Sequence, residues 1–146
     1  MRALTIRQPW AQAVALGLKR IETRGRPLPP ALLGQRIAIH AGLAATRKER
    51  EQFDFAVRDW GQGITFALAG FTDFEDLPLG AIVATARLVR CATAEILLRS
   101  ELTPMERSWG DYGPGRWGWV LDDVLPLARP VPAKGALGFW EWREAA

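Results

Sequence analysis

Gln8-Pro9-Trp10-Ala11-Gln12-Ala13-Val14-Ala15-Leu16-Gly17-Leu18-Lys19-Arg20-Ile21-Glu22-Thr23-Arg24 holds a helix start, a helix stop and a charged strand within seventeen residues. Pro9 suits a first helical position, where the amide has no partner and the ring presets φ. Trp10, Val14 and Leu18 recur four apart, so one apolar stripe faces inward. Gly17 breaks the helix, and a period of two takes over. In an extended segment Arg20, Glu22 and Arg24 fall on one face, with Lys19, Ile21 and Thr23 on the other. Cations clustered around one carboxylate, just past a helix stop, make a candidate site for an anionic ligand.

Outward from this stretch, residues 3–7 read as a short strand and 9–18 as the helix, with a proline-rich turn at 27–30. Residues 35–41 alternate, with Ile37 and Ile39 inward and Arg36, Ala38 and His40 opposite. Thr46-Arg47-Lys48-Glu49 is a capping box that opens a helix running to about residue 60. Residues 61–80 read as an irregular excursion with Phe66, Phe71 and Phe74 among the acids Asp73, Glu75 and Asp76. Residues 80–91 form the strongest strand, and 95–100 a short helix. Thr103-Pro104-Met105-Glu106 repeats the capping-box logic. Residues 117–121 and 136–142 read as strands joined through Asp122, Asp123 and a proline-spaced connection. Short strands interleaved with two or three helices indicate α+β rather than a regular parallel sheet.

At 146 residues, the length fits one domain spanning 1–146 and suffices for a proper core. No apolar run reaches the length of a membrane span, so no membrane role is expected. Met1-Arg2-Ala3-Leu4 lacks the apolar region of a signal peptide. The single Cys91 reads as a buried structural thiol in a reducing compartment, so the expected location is cytoplasmic. With one histidine, His40, and no Cys/His cluster, no metal site and no cofactor are expected. Residues 1–50 hold ten Lys/Arg against two acids, a polyanion-facing pattern. The competing explanation is compositional, since sixteen of the nineteen bases are arginine, as a GC-rich genome would produce. Of the seven tryptophans most should be core, with one or two at a rim able to stack on a base.

Gln-Pro-Trp at 8–10 followed by Gly-x-Lys-Arg-x-Glu-x-Arg at 17–24 resembles the activating-signal-cointegrator homology (ASCH) domain. Gly110-Asp111-Tyr112-Gly113-Pro114-Gly115-Arg116-Trp117-Gly118-Trp119 and Pro132-Ala133-Lys134-Gly135-Ala136-Leu137-Gly138-Phe139-Trp140 are similar to the closing part of its bacterial members. The resemblance spans nearly the whole chain, with a poorly matching middle at about 46–78. It implies a small PUA-like β-barrel with flanking helices around a cleft. Some ASCH-like relatives deacetylate acetylcytidine with a Lys, a Thr and a Glu in a motif similar to Gly-x-Lys-x-x-Thr-x-Arg. Their Lys falls on Lys19, but their Thr position holds Glu22, and Thr23 lies one place off. Ribonuclease activity is suspected for other relatives. Glu95 and Glu75 are the candidates for a third carboxylate.

The expected site is a basic cleft for single-stranded RNA or a nucleotide, modified or not. Lys19 and Glu22 are the candidate catalytic pair if a reaction is performed. Gln8, Trp10, Arg24, His40, Tyr112, Arg116 and Lys134 are the candidate nucleic-acid contacts. In the glycine-rich loop, backbone amides could receive an anion with Arg116 or Tyr112 closing over it, and Ser108 and Trp109 forming a wall. Each has a bland counterpart. Lys19, Glu22 and Arg24 also read as compensating charges on an exposed strand, and the loop as a plain turn shaped by Asp111. His40 also reads as a polar rim residue, and Lys134 as a solvated turn lysine. A third class of function is a protein-interaction module, with the 61–80 segment meeting the partner.

Overall fold

The computed structural model describes residues 1–100 and 102–144. Strand β1 (Arg2–Ile6) leads into α1 (Trp10–Ala15), and β2 (Ile21–Arg24) and β3 (Arg36–Ala41) follow. Helices α2 (Arg47–Arg58) and α3 (Gly63–Leu68) precede the long strand β4 (Ala81–Thr93). Then come α4 (Ala94–Ser100), α5 (Pro104–Trp109), β5 (Trp117–Pro132) and β6 (Phe139–Glu141). No described helix is long and apolar enough to cross a membrane.

Helix α1 is shorter than its apolar stripe. Pro9 lies after a cis peptide and occupies the N-cap, not the first helical turn. At the other end Gly17 adopts φ 76°, a left-handed conformation that glycine enters without steric cost. The amides of Leu18 and Lys19 then both fold back onto the Ala13 carbonyl. Lys19 is thereby fixed at the helix stop, before β2 begins.

All six strands form one mixed sheet in the order β2-β5-β4-β3-β1-β6, parallel only between β1 and β3. Strands β5 and β6 stand four places apart in that order, a separation of about 19 Å in a flat sheet. Yet Trp119 of β5 stacks on Phe139 of β6 with ring centroids 5.3 Å apart. Arg24 of β2 likewise donates to the Thr5 carbonyl of β1 at 3.1 Å. The sheet therefore curls into a half-barrel. Leu4, Ile6, Ile37, Ile39, Leu88, Trp119 and Leu121 fill the interior, with Val14 of α1 packed over them.

Two segments depart from the sequence reading. The proline-spaced residues after Leu121 do not leave the sheet, because β5 runs unbroken to Pro132. Beyond Val120 its only neighbour is β4, so this half of β5 is a sheet edge, where a missing proline N–H deprives no second strand. The 61–80 segment is not an irregular excursion either. It forms α3 and a 3-10 turn at Phe74–Asp76, and it buries Phe66, Phe74 and Leu77 with Phe53 of α2 in a second core. Its acids have local work: Asp76 accepts from the amides of Thr72 and Asp73, and Glu75 pairs with Arg50.

Candidate functional site

The curl of the sheet leaves β2 with one unpaired edge, and a cleft of about 540 Å³ runs along it. An open strand edge exposes amides and carbonyls that need partners. Here side chains supply them. The Glu106 carboxylate accepts from the amides of Arg20 and Ile21, each at 3.0 Å. The Lys19 ammonium donates to the Ile21 carbonyl, and Arg116 donates to the Thr23 carbonyl at 3.1 Å. Lys19 and Arg116 thus line the cleft because the edge strand holds them there.

Lys19 is 2% exposed and lies 3.9 Å from Glu22, whose side chain is 13% exposed. The other Glu22 oxygen accepts from Arg24 Nε at 3.0 Å. Strand alternation had put Lys19 opposite Glu22. The structure brings them together because Lys19 precedes β2, held by the folded-back end of α1. Arg20 turns away instead, to Asp122 at 3.5 Å. Thr23 also borders the cleft and accepts from the Asp111 amide at 3.0 Å. Residues of both parities reach the cleft because it adjoins the edge of the strand rather than one face. Arg24 lies over the Trp119 ring, 5.6 Å from its centroid, and so bridges β2, β1 and the interior.

Trp10 and Trp109 complete the walls. Neither indole N–H has an acceptor among the described residues. A buried donor left bare typically costs about 1–3 kcal/mol, and neither nitrogen is itself open to the cleft.

Of the expected contacts, Trp10, Lys19, Glu22, Arg24 and Arg116 line the cleft. The other four lie elsewhere. Gln8 is fully buried, donating to the Pro78 carbonyl and accepting from the Gln12 amide. His40 is buried rather than at an open rim. It lies between the Thr5 hydroxyl and the Ala133 carbonyl, edge-on to Trp140. Tyr112 does not line the cleft but packs against the small cluster of Ile21, Ala92 and Leu97. Burial pushes its hydroxyl well above the ordinary phenol range, and the nearby charges of Glu106 and Glu22 push the same way. Lys134 is exposed and away from the cleft. Glu75 and Glu95 do not reach it.

Three amides of the glycine-rich loop already have acceptors within the protein. Gly113 donates to the Asp111 carboxylate, Arg116 to the Gly113 carbonyl and Asp111 to Thr23. It is a turn shaped by Asp111, and Gly110, Asp111 and Arg116 are the loop residues that line the cleft. Arg7, Lys48 and Gln52 also line the cleft, although no motif in the sequence singles them out. Arg7 directly precedes the Gln-Pro-Trp motif, and Lys48 sits inside the capping box, so both were adjacent to recognised signals. The sequence marks Glu106 only as a capping residue. Its amide does bond the Thr103 hydroxyl at 3.1 Å, but its carboxylate crosses to β2 instead of returning to the cap. Among the described residues no group of three or more His, Cys, Asp or Glu side chains is placed to hold a metal ion.

Comparison with solved structures gives this architecture a counterpart. The ASCH protein of Zymomonas mobilis matches at TM-score 0.56 and 20% identity, over 98% of this chain and 87% of that one. The fold is that of an ASCH domain. Two point variants of the same bacterial protein match at TM-scores 0.54 and 0.55, with 18% and 20% identity. They cover 98% of this chain and 88% and 90% of theirs. No protein-family model and no curated protein matches the chain. The ASCH fold accounts for the α+β, PUA-like half-barrel with its accompanying helices.

Proposed function

We propose that residues 1–146 act as one ASCH-type domain that binds single-stranded RNA or a nucleotide in the cleft beside β2. The observation that carries this reading is the composition of that cleft. Lys19 and Arg24 flank Glu22, Arg116 faces Asp111, and Trp10 and Trp109 stand in the walls, with Arg7 and Lys48 adding further positive charge. Cations suit phosphate, a carboxylate can accept from the amino edge of a base, and indole faces offer stacking. An unstacked base can enter such a pocket, whereas a duplex presents its bases only in grooves. A reducing, cytoplasmic setting accords with the lone Cys91, and no membrane contact is part of the reading.

A second reading, hydrolysis of an acylated nucleoside or of RNA, draws on one specific observation. Lys19 is a nearly buried amine at the cleft floor with a carboxylate beside it, an arrangement suited to proton transfer. A third, a protein partner at 61–80, draws on the exposed apolar side chains of that segment, Ile64 and Leu68 on α3 foremost.

One experiment separates binding from turnover. Wild-type and Lys19→Ala protein are incubated with a labelled single-stranded RNA and, separately, with acetylcytidine, following both binding and product. Binding predicts affinity that falls steeply with salt and weakens about tenfold or more in the variant, with no product. Product that disappears in Lys19→Ala even at saturating substrate establishes the hydrolase. Absence of both signals refutes the nucleic-acid readings together.

A further inference from the structure

We propose that the cleft has a second phosphate subsite, formed by Arg7, Lys48 and Gln52. On this assignment the preferred ligand carries phosphate on both sides of the nucleoside, as an internal nucleotide of a single strand does. The inference rests on the nucleotide-binding reading above and specifies its ligand.

The three residues converge from two elements. Arg7 follows β1 directly, while Lys48 and Gln52 stand four apart on α2 and so share a helix face. All three line the same cleft as Lys19 and Glu22. Arg7 is positioned from beneath: its Nη1 donates at 3.2 Å to Glu49, which is 0% exposed. The other Glu49 oxygen accepts from the amide and hydroxyl of Thr46, so the capping box of α2 also anchors Arg7. The Arg7 side chain as a whole remains 61% exposed. A buried carboxylate thus orients one end of a guanidinium whose other N–H groups are open. Lys48 makes no ion pair among the described residues, which leaves this corner with a net positive charge.

Spacing ties this corner to the first subsite. Arg24 is bound to the carbonyl of Thr5, two residues before Arg7. Two extended residues span about 7 Å, comparable to the step between neighbouring phosphates of an extended strand. A phosphate near Arg24 and Arg116 and the next near Arg7 and Lys48 would leave the intervening base at Lys19, Glu22 and the tryptophans. The other charged group facing the cleft is Asp111, already 3.6 Å from Arg116.

The test compares the full chain's affinity for the four nucleoside 5′-monophosphates with that for the matching 3′,5′-bisphosphates. Intrinsic tryptophan fluorescence at fixed salt provides the readout. At least one bisphosphate should bind about tenfold tighter than its monophosphate, the usual scale of one added charge-assisted contact. In Lys48→Ala, and in Arg7→Met, that ratio should fall towards one. Lys48 is exposed and without an ion pair, so its removal does not endanger folding. With a ten-nucleotide single-stranded RNA, Lys48→Ala should also flatten the salt dependence by about 0.7 in log–log slope. Equal affinities for mono- and bisphosphates in the wild type overturn the second subsite and leave nucleotide binding standing. A ratio that survives both substitutions overturns it too. Failure of every probe, RNA included, overturns the parent reading with it.

Discussion

Replacing Glu106 by alanine tests whether one side chain holds the open edge of β2 and, through it, the floor of the cleft. The carboxylate accepts from two amides, those of Arg20 and Ile21, at 3.0 Å each. A bare buried amide typically costs about 1–3 kcal/mol, less where water can reach it. The Arg20 amide lies on an exposed residue and belongs at the low end, while that of Ile21 is buried. Together they amount to about 2–4 kcal/mol, which lowers Tm by about 10 °C in a domain of this length. Glu106→Gln keeps one acceptor oxygen and turns an N–H2 toward the other amide, so it should lose about half as much. The cap of α5 is not involved, because the Thr103 hydroxyl bonds the Glu106 backbone amide, which alanine retains. Thermal unfolding by circular dichroism, with urea titration beside it, measures all three proteins. RNA affinity well below Tm should also drop, since Lys19 is bound to the carbonyl of Ile21. A Glu106→Ala protein within about 2 °C of wild type would refute the argument, as would glutamine proving worse than alanine.

Two further outcomes follow from the same geometry. Burial acts to raise the Glu49 carboxyl pKa, but hydrogen bonds from Thr46 and the chain amides, with the charge of Arg7, outweigh it and hold the group below its ordinary value. Its contribution to stability is therefore complete above the ordinary carboxyl range and is lost as pH falls through that range toward the folded-state value. Urea midpoints of wild type and Glu49→Gln should converge as pH is lowered from 7 to 3, and parallel curves would contradict this. At Gly135, an added Cβ would stand 2.6 Å from His40 Nδ1 and 2.9 Å from Thr5 Oγ1. Because His40 is held by Thr5, Ala133 and Trp140, it cannot yield freely. Gly135→Ala should cost about 1–3 kcal/mol, whereas Gly25→Ala, with Arg116 Nη1 at an ordinary 3.5 Å, should leave Tm nearly unchanged.

The helix stop at Gly17, the inward pair Ile37 and Ile39, and the Thr46 capping box were legible because each rests on local chemistry. A positive φ, a period of two and a hydroxyl three residues before a carboxylate leave marks in neighbouring positions. The extent of β5 was not legible, because prolines exclude a central strand but not an edge, and which half of β5 is an edge depends on where β2 ends. Phe66 and Phe74 looked like an apolar excess in an acidic insert because their partner Phe53 lies on a different helix. The site shows the same division. Lys19, Glu22 and Arg24 announce themselves by spacing, but their juxtaposition does not, since it depends on the folded-back end of α1 and on Glu106 more than eighty residues away. This dependence has a functional corollary. Groups that complete the unpaired edge of a strand are held in place before any ligand arrives, so little side-chain entropy remains to be lost on binding. Lys19 and Arg116 each retain N–H donors beyond the one given to the β2 backbone, and these are the ones the cleft presents. The open edge of β2 is thus both the weak point that Glu106 must cover and the reason the cations of the cleft stand in fixed positions.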